Sequence, residues 1–511
     1  MLPMFWLSRP STPARSDGQA GSPGGKLEEL RRENKLNVED LGEVNMAAQT
    51  MRLGAFGLDG VAQMILWQKA DEYKKKKDWT NLAATLNQLI VINPHLETVW
   101  RFQGWNLAYN VSVECDNYRD RYMWVIKGIR FLENGTKYNP MSIRITWDVG
   151  WTTAQKISRS DEKLQFRQLF RKDDDFFASH PEIKVAERDS WLVGKYWYLA
   201  AEQLVEKGAD LQTISPTLFY SHRPNAQAYY SENVQTDGDF GIRAKNAWND
   251  FQAEWKAYGE KDIPSVDGIM MRLKDEESEA VRAEGYREQL DALQPGLYKR
   301  LVDTKRARLT PEELLAVDTP FEERTADQHN IGSEASEKIR VSNTEWAQNL
   351  PVDLRTKGMK LAKLLDEAST QEKLIHRYRL IVNYKYWYLR GELETTPEIQ
   401  QARKLIYDAD IAFENGDLVT AKNNYDFALR LWNQVIRTDR FDEIIDEEMF
   451  GSDLRELIDK YDIILEQCNE RRPADFPLRE VFERTNPTDD AVLSDMRRSR
   501  QAESPAFRTV E

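Results

Sequence analysis

Apolar residues in the body of the chain recur at helical rather than strand spacing. Trp100, Gly104, Leu107, Ala108 and Val111 fall on one face of a helix, and Phe102, Trp105 and Tyr109 fall on another. A helix that is apolar on two sides is buried on two sides. That is what an inner helix of a stacked array requires. Pro and Gly punctuate the pattern. Asn93-Pro94 is followed ten residues later by Gly104-Trp105, and Asn139-Pro140 ten residues later by Gly150-Trp151, so the two units are offset by 46 residues. The Pro predicts a helix start, and the Gly predicts a place where two helices cross closely.

Other self-similarity has a shorter period. Residues 402–435 contain Ala409, Gly416-Asp417, Ala421, Tyr425 and Ala428, which resemble the tetratricopeptide repeat. That resemblance implies a helix pair: Ala409 allows close approach, Gly416-Asp417 makes the turn, and a small, aromatic, small series packs the second helix. A divergent copy lies at Leu66 to Pro94, with Lys77-Asp78-Trp79 in the turn and Leu82, Leu86 and Leu89 on the second helix. Two strings also link the halves of the chain. Lys195-Tyr196-Trp197-Tyr198-Leu199 recurs as Lys385-Tyr386-Trp387-Tyr388-Leu389, and Gly238-Asp239 with Ala244, Trp248 and Trp255 parallels Gly416-Asp417 with Ala421, Tyr425 and Trp432. Ser215 to Pro224, between the first string and its partner, reads as an irregular inserted loop because it carries Pro216 and Pro224.

The expected architecture is all-α: an α-solenoid of tetratricopeptide-like helix pairs with disordered termini. Its parts are a disordered segment 1–50, an aromatic-rich helical repeat block 51–258, a charged helical linker 259–345 without Trp, a second repeat block 346–471, and a disordered tail 472–511. The chain opens with seven apolar residues, Met1 to Leu7, and then turns to Pro, Gly and Ser. Seven residues do not span a bilayer, which needs about 20. Two readings stand: a disordered start, or the last turns of a membrane anchor that begins upstream. The first leaves the protein cytoplasmic, and the second makes it membrane-associated through its N-terminus.

Composition narrows the function. The 511 residues hold 71 Lys and Arg against 85 Asp and Glu, a net charge of -14, which disfavours nucleic acid as a partner. Two cysteines and five histidines give neither a disulfide framework nor a thiolate metal site. The 15 Trp, 20 Tyr and 19 Phe favour aromatic wedges between helices over a Val-rich sheet.

Chemistry-bearing motifs are scarce. The chain has no G-x-S-x-G, Walker A, H-E-x-x-H or C-x-x-C pattern, so no catalytic residue, cofactor site or metal site is assigned. Asp173-Asp174-Asp175 near His180 reads as a solvated helix end rather than a cation site. The distinctive segment is Asn106 to Glu114. Here Asn106, Asn110 and Glu114 line a polar strip beside Trp105 and Tyr109, and these five residues are the candidate partner groove. The strip serves equally as a buried hydrogen-bond ladder satisfied by neighbours such as Arg121 or Arg144.

Trp105-Asn106-x-Ala108-Tyr109-Asn110-x-Ser112-Val113-Glu114, Arg119-Asp120-Arg121-Tyr122-x-Trp124-Val125 and Trp191-Leu192-Val193-Gly194-Lys195 resemble a bacterial family of large uncharacterised planctomycete proteins, across roughly Gly54 to Leu465. The resemblance implies no catalytic residue. It does imply a hydrophobic anchor before an Arg-Pro-x-Thr-Pro segment, which Arg9-Pro10-Ser11-Thr12-Pro13 matches. The expected function is a non-enzymatic scaffold that binds a protein or peptide. The alternative is an α/α enzyme that acts on a polar substrate such as a glycan through scattered carboxylates.

Overall fold

In the computed structural model, residues 24–26, 29, 59–211, 214–265 and 268–485 are described. The candidate anchor Met1 to Leu7 and most of the segment 1–50 lie outside them. The fold is all-α, apart from a two-residue antiparallel ladder pairing Ile263–Pro264 with Met270–Met271. No helix among the described residues is long and apolar enough to cross a membrane. The chain divides into two compact units, Met1–Glu232 and Asn233–Glu511.

In the first unit, residues 59–92 form a helix hairpin, α1 (Asp59–Lys75) and α2 (Trp79–Ile92). Its turn places Lys77 in the left-handed region at φ 55°, and Asp78 caps α2 by accepting from the Asn81 N–H. Leu82, Leu86 and Leu89 are fully buried against Ala70 and Val99. Each such burial is worth about 2 kcal/mol. After Pro94 the chain enters α3 (Glu97–Trp105), widens into a π-helical turn over Asn106–Val111, and returns through α4 (Tyr118–Tyr138). After Pro140 the same sequence of events recurs: α5 (Ile143–Trp151), then a π-helical turn over Thr152–Lys156. The two Asn-Pro sites are tied together, since buried Asn139 donates to the Pro94 carbonyl at 3.1 Å and the Trp100 indole donates to the same oxygen at 2.8 Å. Next come α6 (Lys163–Arg171), α7 (Ser190–Glu206) and α8 (Pro216–Thr236). Trp100, Val125, Ile129, Leu132, Val149, Phe170 and Phe176 form the core beneath them.

The expected irregular loop at Ser215 to Pro224 is corrected by α8, which starts at Pro216 and runs straight through Pro224. An interior proline costs about 3 kcal/mol. Burial of Phe219, Tyr220, Ala226, Ala228 and Tyr230 along the same helix offsets it. Pro216, by contrast, stands at a helix start, where its missing N–H has no partner to lose.

In the second unit, α9 (Ile242–Glu260) buries Ala244, Trp248, Phe251 and Trp255. The charged segment that follows forms α10 (Glu276–Leu293), α11 (Leu297–Arg306), α12 (Pro311–Asp318) and α13 (Ala326–Ile339). Within it, Ala283, Leu290 and Leu297 pack against Leu361, Leu365 and Ala368 of the 30-residue α14 (Val352–Ile381). Further helices are α15 (Tyr384–Glu394), α16 (Pro397–Glu414), α17 (Leu418–Ile436), α18 (Glu448–Gln467) and α19 (Arg479–Thr485). The tail expected to be disordered from residue 472 is instead anchored as far as Thr485, because Leu478 is fully buried and Phe476 and Val481 nearly so. Residues 486–511 lie outside the described residues.

The helix pair α16 and α17 matches its motif closely. Gly416 takes φ 79° in the turn, Asp417 accepts from the Thr420 N–H, and Ala409, Ala421, Tyr425 and Ala428 are fully buried. Ahead of α9, Gly238 takes φ 83° and Asp239 accepts from the Gly241 N–H, so this echo is a structural one. The Tyr-Trp-Tyr echo is not. Tyr196 is exposed where Tyr386 is buried, and Tyr198 is buried where Tyr388 is partly open, so the two strings face their helices' surroundings differently.

Candidate functional site

The two π-turns of the first unit each follow a close helix crossing. A Cβ at Gly128 would lie 2.7 Å from the Gly104 carbonyl oxygen and 3.0 Å from the Ala108 Cβ, so α3 meets α4 backbone to backbone. A Cβ at Gly194 would lie 2.7 Å from the Ala154 Cβ and 3.0 Å from the Gly150 oxygen, so α5 meets α7 in the same way. In both cases a glycine makes the contact, the next residue is a tryptophan, and the helix then widens. A π-turn carries an extra residue per turn and is often found where side chains are presented for function.

Both tryptophans face outward. Trp105 is 46% exposed and Trp151 36% exposed. Each is stacked on a ring four positions away: Trp105 on Tyr109 at 6.0 Å between centroids, and Trp151 on Trp147 at 5.1 Å. The Trp151 indole lies beside the Tyr109 hydroxyl, which brings the two pairs into one ledge. The Lys156 ammonium sits 5.0 Å above the Tyr109 ring. His222, on α8, packs edge-on to Trp147 at 5.0 Å and to Trp151 at 5.7 Å, and Tyr198 closes the inner side 6.1 Å from Trp147.

Burial sets the electrostatics of this cluster. It pushes the Tyr109 hydroxyl up to about 12 and the His222 imidazole down to about 4, so at neutral pH neither carries charge. Burial also lowers Lys156 and raises Asp148, the latter against the pull of the Arg101 guanidinium that binds it. The Tyr198 hydroxyl and the Thr153 hydroxyl are buried without a protein partner. The ledge therefore offers flat aromatic faces and hydrogen-bond donors.

The five residues singled out in sequence divide. Trp105 and Tyr109 belong to the ledge. Asn106 is fully buried, taking a 2.9 Å hydrogen bond from Asn110 and facing Gln103, while Glu114 is exposed at the end of the segment. The amides thus form an internal ladder. Arg121, expected as a neighbour that satisfies it, instead donates to the Cys115 carbonyl and pairs with Glu162. Sequence reasoning missed Trp147, Trp151, Lys156 and His222. The signal was present in the 46-residue offset, since Trp151 occupies in the second unit the step that Trp105 occupies in the first.

Elsewhere, the acidic run is tied up: Asp173 accepts from Tyr122 and caps the next turn, Asp174 pairs with Arg188, Asp175 with Arg130, and His180 with Glu133. No group of three metal-ligating side chains occurs among the described residues. In the second unit a cavity of about 30 Å³ is lined by Tyr386, Arg390, Glu394, Arg403, Trp432 and Asp453. That is room for about two waters. Its carboxylates are engaged, Glu394 by Arg403 at 2.5 Å and Asp453 by the Tyr386 hydroxyl at 2.5 Å. Neither a protein-family model nor a curated protein sequence matches the chain.

Proposed function

We propose that this protein works by binding, as a helical-repeat scaffold that takes an extended segment of a protein partner on the ledge of its first unit. The observation that carries this reading is the pair of solvent-facing ring stacks, Trp105 on Tyr109 and Trp151 on Trp147, set at matching steps of two successive helical units. Large aromatic rings left exposed cost solvation and mark binding surfaces. The repeat reading draws support from the turns. A left-handed residue followed by a capping Asp closes both the hairpin at Lys77-Asp78 and the hairpin at Gly416-Asp417. Stacked helix pairs of this kind present extended surfaces.

A defined library of extended peptides, screened on the immobilised full chain, tests the reading. Peptides retained by the natural protein should be lost from a Trp105→Ala, Trp151→Ala double variant whose helical circular dichroism and melting midpoint are unchanged. Equal retention by the two proteins would sink it.

A further inference from the structure

Resting on that reading of the ledge as a peptide surface, we propose that its occupant is a proline-rich segment in the extended polyproline II conformation. The rings exclude other modes of entry. Trp147, Trp151, His222 and Tyr198 touch one another at centroid separations of 5.0–6.1 Å, so no group can slip between them and a caged cation has no room. An occupant must lie on the outer faces. Pyrrolidine rings are flat, apolar and regularly spaced along a polyproline II helix, and such a segment loses little conformational freedom on binding.

Hydrogen-bonding character selects the same chain. The Trp105 and Trp147 indole N–H groups and the Lys156 ammonium have no hydrogen-bond partner among the described residues. All are donors. The acceptors of the ledge are fewer: the Asp148 carboxylate is held by Arg101 and the Tyr198 and Thr153 hydroxyls are buried, which leaves the Tyr109 oxygen beside Trp151 and one ring nitrogen of the neutral His222. A proline-rich segment is the complement: its prolines carry carbonyl acceptors and no N–H donors. A glycan presents hydroxyls that need acceptors as well as donors, and an ordinary peptide brings N–H groups for which few acceptors remain.

The test follows the anisotropy of a dye-labelled oligoproline peptide titrated with the full chain. A saturable rise is expected, weakened at least tenfold by Trp105→Ala and severalfold by Lys156→Met. Lys156→Met keeps the aliphatic stem over Tyr109, so it decides the matter should Trp105→Ala fail to fold. Equal binding of an alternating Ala-Ser peptide of the same length overturns the preference for proline. Failure of oligoproline, while library peptides still depend on Trp105, overturns this inference and leaves the peptide reading standing. Displacement of oligoproline by a gluco-oligosaccharide at the same residues would overturn the donor argument in favour of a glycan platform. If no peptide binds, both readings fall.

Discussion

Trp105 and Trp151 occupy the same step of two successive helical units. Each is the last residue of an α-helix, each is preceded by a glycine that meets a glycine on a crossing helix, and each is followed by a π-turn. The relationship joins packing to presentation. The Gly-Gly crossings let the backbones approach closely, and the large ring one residue further on is left at the margin of the contact, where it faces solvent.

The crossings should therefore be the least tolerant glycine positions of the first unit. Gly128→Ala and Gly194→Ala each drive a methyl to 2.7 Å from a neighbouring atom, where only a shift of packed helices relieves the clash. The expected loss is about 1–3 kcal/mol each by chemical denaturation. Gly285→Ala is the control. It sits inside α10 with nothing within 4 Å of the new methyl and should gain about 1 kcal/mol through helix propensity. Equal effects at all three positions would contradict the crossing geometry.

The hairpin turns give a paired prediction of opposite sign. Lys77 holds φ 55° with an exposed side chain, so Lys77→Gly should stabilise the first hairpin by about 1 kcal/mol. Gly416 holds φ 79° with open space around it, so Gly416→Ala should destabilise by a similar amount through backbone strain alone. Melting midpoints of the two variants should move in opposite directions.

These turns also show what was legible in the sequence. Local chemistry could be read directly. A Gly-Asp or Lys-Asp pair between apolar helices announces a left-handed residue and a cap, and an Asn-Pro to Gly-Trp interval announces a helix and its crossing. What could not be read was the direction in which rings point. Lys195-Tyr196-Trp197 and Lys385-Tyr386-Trp387 are the same letters, yet Tyr196 faces solvent and Tyr386 lies in the core, because the neighbouring helices decide which face of the helix is covered. Pro224 misled for the same reason. Its local preference is to break a helix, and buried neighbours on either side outweigh it.

Two histidines of the first unit should give pH dependences of opposite sign. The Glu133 carboxylate, 3.0 Å away, raises the pKa of His180, so the folded state favours the imidazolium. Its contribution is complete below the unfolded value of about 6.5 and is lost as pH rises through the higher folded value. His222 is held down to about 4 by burial among Trp147, Trp151 and Tyr198, so the folded state favours the neutral ring. Its contribution is complete above about 6.5 and falls away as pH drops toward the folded value, on the order of 3 kcal/mol in all. Melting curves should show the acid-side loss reduced in His222→Phe and the neutral-to-alkaline loss reduced in His180→Gln. An unchanged acid limb in His222→Phe would refute the burial argument.

The second unit's charged cluster should behave as a structural lock. Glu394 is wholly buried, paired with Arg403 at 2.5 Å and with Arg390 at 3.7 Å. The guanidiniums in turn lie over aromatic rings, Arg403 on Trp432 at 4.8 Å and Arg390 on Trp387 at 5.4 Å. Removing the carboxylate leaves two partly buried cations beside each other without the charge that pairs them. Glu394→Gln should cost about 3–5 kcal/mol, as breaking a buried pair does. Replacing Arg403 as well, in an Arg403→Met, Glu394→Gln double variant, should recover part of that loss, because one of the two unpaired charges is gone while Met still covers Trp432. A double variant less stable than Glu394→Gln alone would mean that Arg403 stabilises chiefly by its stacking on Trp432 rather than through the ion pair.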